Sequence, residues 1–104
     1  MSARIDIPKE EIAAFCQRNH IRRMALFGSV LRDDFTPESD VDVLVEFESD
    51  ARIGYIGLAG LEIELDKILG RKADLYTFEG VESSRNWLLR KEILSSTEAI
   101  YEQT

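Results

Sequence analysis

Leu26-Phe27-Gly28-Ser29, ten residues at positions 30 to 39, then Asp40-Val41-Asp42-Val43-Leu44-Val45: this stretch decides the fold. It reads as strand, tight turn, short helix, loop and second strand. In a strand, residues i and i+2 point to the same face, roughly 6–7 Å apart along it. Asp40 and Asp42 therefore share one face, and Val41 and Val43 share the other. Aspartate is disfavoured in strands, so two of them leading into an apolar strand need a reason. Neighbouring carboxylates repel unless a cation lies between them, and hard divalent ions such as Mg²⁺ prefer oxygen ligands. Gly28 permits close backbone approach, and Ser29 stands at a helix start, where free N–H groups bind phosphate. A phosphate cradle facing a carboxylate pair suits phosphoryl or nucleotidyl transfer.

Working outward, Ile7-Pro8-Lys9-Glu10-Glu11 reads as a helix start, because proline is preorganised for the first turn and acids suit the N-terminal dipole. Ile12, Phe15 and Cys16 form its apolar stripe, and Asn19-His20 stops it. Residues 21 to 27 follow as a strand whose apolar end, Met24 to Phe27, suits a central position covered on both faces. Residues 30 to 33 read as a short helical turn, and 34 to 39, with Pro37, as loop. Residues 40 to 47 are the second strand. Residues 55 to 69 read as a helix with Leu58, Leu61, Leu65, Ile68 and Leu69 at helical spacing and Gly70 ending it. Residues 72 to 78 form a third strand, Glu79-Gly80 a turn, and Ser83 or Ser84 caps a last helix with Trp87, Leu88, Ile93 and Leu94. The tail Ala99-Ile100-Tyr101 fits a short strand or a helix end equally. This alternation predicts an α+β domain, a small mixed sheet with helices packed on one side.

A chain of 104 residues is expected to form a single domain over 1–104. Its 44% hydrophobic and 32% charged content fits a globular protein. No apolar run approaches the roughly 20 residues needed to span a membrane, and residues 1 to 6 lack the apolar core of a signal peptide. A cytoplasmic location is the resulting expectation. A single cysteine, Cys16, excludes an intramolecular disulfide. It reads as a small buried residue on a helix. The net charge of −7 argues against stable nucleic-acid binding, which needs clustered Lys and Arg. The same charge suits a basic protein partner. His20 and the aromatic residues Trp87 and Tyr101 read as surface and core residues, respectively, rather than as site residues.

Gly28-Ser29, ten residues and Asp40-x-Asp42 resemble the signature of the nucleotidyltransferase superfamily related to DNA polymerase β. The short chain, Arg32 soon after Gly28-Ser29, and Ser39 directly before Asp40 resemble its minimal members, the antitoxin partners of HEPN ribonuclease toxins. That resemblance implies a polymerase β-like fold. It implies that Asp40 and Asp42, completed by a third acid at Asp74, would be catalytic and hold Mg²⁺, two ions in all. Asp74 would also act on the attacking hydroxyl. Gly28 and Ser29 would hold the phosphates of ATP. Arg32 would either neutralise phosphate charge or brace the carboxylates, and Ser39 would either support a ligand carboxylate or cap its turn. Asp33-Asp34-Phe35 stands where the family often has a glycine soon after the arginine.

The activity implied is transfer of AMP from ATP to a hydroxyl, a tyrosine by expectation, on a cognate HEPN toxin, in a hetero-oligomer with it. The absence of an acceptor-binding domain in so short a chain favours a protein acceptor. Two rivals follow from the same residues: a non-catalytic antitoxin that acts by binding, and a nucleotidyltransferase for a small molecule such as an aminoglycoside.

Overall fold

The structure, a computed structural model, describes residues 7–31, 36, 38–49, 51, 54–82, 88, 90–91, 93 and 97–103. Helix α1, Lys9–Arg18, follows Pro8, with Glu10 and Glu11 in its first turn and Arg18 in its last, as a helix dipole favours. Asn19 ends it: its Nδ2 donates to Phe15 O at 2.8 Å. His20 takes a left-handed backbone, φ 58°, which turns the chain directly into β1, Ile21–Phe27. A 3₁₀ turn, Gly28–Leu31, leaves β1. Strand β2, Val41–Phe47, returns antiparallel to β1. Helix α2, Tyr55–Leu69, ends at Gly70, whose φ of 73° is open to glycine at little cost. Strand β3, Ala73–Thr77, then lies parallel to β2, and a short helix α3, Phe78–Glu82, follows it.

The final strand, β4, Thr97–Glu102, pairs antiparallel with β1. The sheet order is β3-β2-β1-β4, which makes β1 and β2 central and β3 and β4 edges. The tail that fitted strand or helix is thus a strand. The expected turn at Glu79-Gly80 is helical instead. Thr77 Oγ1 accepts the Gly80 N–H at 3.0 Å and so supplies an N-terminal cap. A side chain at position 80 would crowd that same oxygen at 2.8 Å. Leu88 and Ile93 are helical as expected. Arg32, the 33–35 loop, the Ser83 and Ser84 caps, Trp87 and Leu94 lie outside the described residues.

One face of the sheet carries the core. Val41, Val43 and Val45 of β2 are fully buried, together with Met24 and Leu26 of β1 and Ala73 of β3. Ile12, Phe15 and Cys16 of α1 and Leu61 and Leu65 of α2 cover them. Burial pushes the Cys16 thiol up to about 12. Each fully buried aliphatic side chain contributes roughly 1.5–3 kcal/mol, so this face fixes the register of β2. A slip by one residue would drive Asp42 into the core. Tyr101 packs at the core edge, and His20 lies at the surface near Glu48 (Nδ1 to Oε1 3.9 Å).

Candidate active site

The opposite face of the sheet gathers the acids. Asp42 pairs in register with Phe27 on one side and Asp74 on the other. Paired residues on adjacent strands point to the same face about 4.8 Å apart, so Asp42 and Asp74 are side by side. Asp40 lies two residues before Asp42, at the mouth of β2. All three carboxylates therefore meet at one end of the sheet, where β1 ends and β2 and β3 begin. Phe27, only 1% exposed, lies beneath this end. Its ring meets Tyr76 edge-on, with centroids 5.3 Å apart. Apolar walls of this kind strengthen electrostatic interactions by lowering the local dielectric.

Gly28 follows Phe27 directly and has φ 79°, a conformation that a side chain would strain. The left-handed turn starts the 3₁₀ turn directly after Phe27, the strand partner of Asp42, and Val30 and Leu31 of that turn are buried in the core. Ser29 belongs to this turn by its backbone. Ser39 closes the turn before Asp40: its Oγ accepts the Thr36 N–H at 3.0 Å and lies 3.1 Å from Thr36 Oγ1.

Four residues with no role in the sequence-based expectation shape the site. The Lys72 Nζ donates to Asp74 Oδ1 at 2.9 Å and lies 3.8 Å from Asp40 Oδ2. The hydrogen bond to Asp74 and the charges of Asp74 and Asp40 hold its pKa above the usual lysine value, with a further contribution from Glu62. The signal was available: Lys72-Ala73-Asp74 has the same i, i+2 spacing as Asp40-Val41-Asp42. Glu62 and Asp66 come from α2. Asp66 Oδ1 accepts the Ala73 N–H at 2.7 Å, and Glu62 Oε2 accepts the Leu75 N–H at 2.9 Å. The four residues from Glu62 to Asp66 rise about 6 Å along the helix, close to the roughly 6.6 Å between alternate strand residues. The two acids thus clamp the outer edge of β3 on either side of Asp74. Arg71 reaches the loop before Asp40, with Nη1 3.5 Å from the carbonyls of Thr36 and Ser39.

Among the described residues, no three carboxylate, imidazole or thiol groups converge closely enough to hold a metal by themselves. The donor set still fits a hard divalent ion. Mg²⁺ binds through one or two carboxylates, waters and substrate phosphates rather than a full protein cage. Asp40 and Asp74 already share a cationic group, the Lys72 ammonium. An open depression of about 570 Å³, lined by Arg22, Phe47, Leu58 and Phe78 among others, lies at the other end of the sheet, away from these carboxylates.

Residues 9–100 match the nucleotidyltransferase domain family. This chain belongs to that family. It is an enzyme of the nucleotidyltransferase kind, and the resemblance read from Gly28-Ser29 and Asp40-x-Asp42 agrees with it. A Methanocaldococcus jannaschii protein provisionally named protein adenylyltransferase MJ0435 is 30% identical over 73 residues, 70% of this chain and 76% of that protein. A solved structure provisionally described as a minimal nucleotidyltransferase is 30% identical, with a TM-score of 0.62, and the match covers 89% of this chain and 87% of the other. The complex of tri-AMPylated Shewanella oneidensis HEPN toxin with MNT antitoxin gives a TM-score of 0.62 at 18% identity, covering 91% and 70% of the two chains. At that identity the likeness is one of fold. The mixed four-stranded sheet is accordingly the polymerase β-like nucleotidyltransferase fold.

Proposed function

We propose that this nucleotidyltransferase is an antitoxin that transfers AMP from ATP to a hydroxyl of a cognate HEPN toxin, a tyrosine hydroxyl in our reading, and so neutralises it. The observation that carries this reading is the in-register pair Asp42–Asp74 with Asp40 on the same face, beside the left-handed turn at Gly28. The relative named for protein adenylylation and the AMPylated toxin in the fold neighbour supply the acceptor class.

In this reading Asp40, Asp42 and Asp74 would hold Mg²⁺, which would supply charge neutralisation at the triphosphate. The N–H groups of the Gly28–Leu31 turn bind the phosphate oxygens. The acceptor hydroxyl oxygen forms a bond to the α-phosphorus while the bond from that phosphorus to the β-phosphate oxygen breaks, releasing pyrophosphate. Asp74, aligned by the Glu62 and Asp66 clamp, takes the hydroxyl proton. Arg32 and Ser29 would add phosphate contacts. The whole chain, 1–104, would act as one catalytic domain, with the partner completing the acceptor side of the cleft.

The test is a transfer assay. The protein is mixed with the product of its neighbouring gene and MgATP, and the partner is weighed by intact mass spectrometry, with Asp40→Ala/Asp42→Ala alongside. Gain of one or more AMP masses on the partner, lost in the double variant, is the expected result. An unchanged partner mass, with ribonuclease inhibition equal in both proteins, would leave inhibition to binding alone.

A further inference from the structure

We infer that Lys72 is the resident cation of the carboxylate site: it holds Asp40 to Asp74 before metal arrives, and a divalent ion enters by displacing it. The inference rests on the metal-site reading above and deepens it. Lys72 makes contacts that belong to a metal in that reading, 2.9 Å to Asp74 and 3.8 Å to Asp40. Asp74 and Asp40 come from different elements, so one ammonium ties the mouth of β2 to the mouth of β3. The backbone supports this placement, because Lys72 O accepts the Val41 N–H at 2.9 Å. That bond puts Lys72 beside Asp40 just as Ala73 is beside Val41.

Asp40 and Asp74 lie diagonally, one strand across and two residues along, and the ammonium that spans them stands where an ion held by both would stand. Three carboxylates brought to one sheet end repel one another, and the Lys72 ammonium between two of them offsets that repulsion. The Lys72 side chain is 62% exposed, so it can swing out to solvent without unpacking any core residue. Lysine suits a temporary post of this kind. It offers a compact charge on a flexible stem, whereas arginine would lock bidentately onto a carboxylate. Lys72 is therefore a positioning residue: it sets how readily the site takes metal and keeps the metal-free site assembled.

The experiment titrates Mn²⁺ alone, without nucleotide or partner, into the full chain and follows the free-ion signal by electron paramagnetic resonance. Wild type is compared with Lys72→Met, which keeps the stem and removes the charge, with Lys72→Arg, and with Asp40→Ala/Asp42→Ala as the site control. Removing an exposed competing ion pair should tighten Mn²⁺ binding in Lys72→Met by roughly three- to tenfold. Lys72→Arg, with its charge retained, should bind no more tightly than wild type. The control should lose the site. Circular dichroism verifies that each variant is folded; if Lys72→Met is not, Lys72→Gln takes its place. Equal or weaker Mn²⁺ affinity in the folded neutral variant overturns the inference, as does Mn²⁺ binding that persists in the control. A purely structural role for Lys72 would weaken binding on its removal. AMP transfer to the partner is read separately: intact transfer with unchanged Mn²⁺ affinity would sink only this inference, and tighter Mn²⁺ binding without transfer would sink only the acceptor reading.

Discussion

Strands β1 and β3 both flank β2, yet they are held in different ways. β1 is central: it pairs with β2 on one side and β4 on the other, and Met24, Leu26 and Phe27 are buried. β3 is an edge strand. Its outer side is satisfied by the two α2 carboxylates, Glu62 and Asp66, instead of another strand. An exposed strand edge invites pairing with other chains, and this helix closes it at the residues flanking Asp74. The difference teaches that the site has one wall built on apolar packing and another built on polar clamps. Asp40 and Asp42 take their placement from the core, whereas Asp74 depends on hydrogen bonds and on Lys72.

The largest effect should come from the packed side. Val43→Asp puts an unpaired charge on the buried face of β2, at a cost above about 4 kcal/mol. The variant should lack a cooperative thermal transition. If it folds normally, the core does not set the register of β2. Asp42→Asn sits one residue earlier on the open face. It should lower AMP transfer by roughly 10²- to 10³-fold while its melting curve stays close to wild type. Together the two neighbours separate the structural face of the strand from the chemical one.

That separation was legible in the sequence. The alternation Asp40-Val41-Asp42-Val43 announced which face was which, and helix 55–69 and strand 21–27 stood out by period and termini. The clamped side was harder to read. Glu62 and Asp66 look like solvated helix acids until β3 is laid against them, because their partners are backbone N–H groups far along the chain. Lys72 reads as an ordinary surface lysine at a strand start, although its i, i+2 spacing to Asp74 places both on one face, as in the aspartate pair. β4 was ambiguous because an irregular edge strand with a register shift between Met24 and Ala25 leaves only a weak alternation. Helix α3 was missed because Thr77, which caps it, also closes β3.

The polar side should break more gently. Glu62→Ala and Asp66→Ala each remove a charged acceptor from a strand N–H, costing about 1–2 kcal/mol. Because Asp74 would then be loosely held, transfer should fall by about tenfold to a hundredfold, more than the stability loss explains. A loss of stability with unchanged transfer would show that β2 pairing alone places Asp74. The smallest effect at neutral pH belongs to Cys16, behind β1. Its thiol keeps its proton up to about pH 12 in the folded chain, whereas an unfolded cysteine ionises near 8.5. Between these values only the unfolded chain loses the proton, so folding stability should fall as pH rises from about 9 to 12, by at most about 1.4 kcal/mol per pH unit. Below that range there should be no dependence from this group, and thiol reagents should label Cys16 only at the rate of unfolding. Cys16→Ala should flatten the alkaline slope; an unchanged slope would assign it elsewhere.

The most direct test of the site is a crystal structure of the protein with Mn²⁺ and a non-hydrolysable ATP analogue. The account predicts anomalous density against Asp40, Asp42 and Asp74, the triphosphate on the Gly28–Leu31 turn, and Lys72 withdrawn from both carboxylates. Nucleotide in the depression between Phe47, Leu58 and Phe78, with no metal at the aspartates, would contradict it.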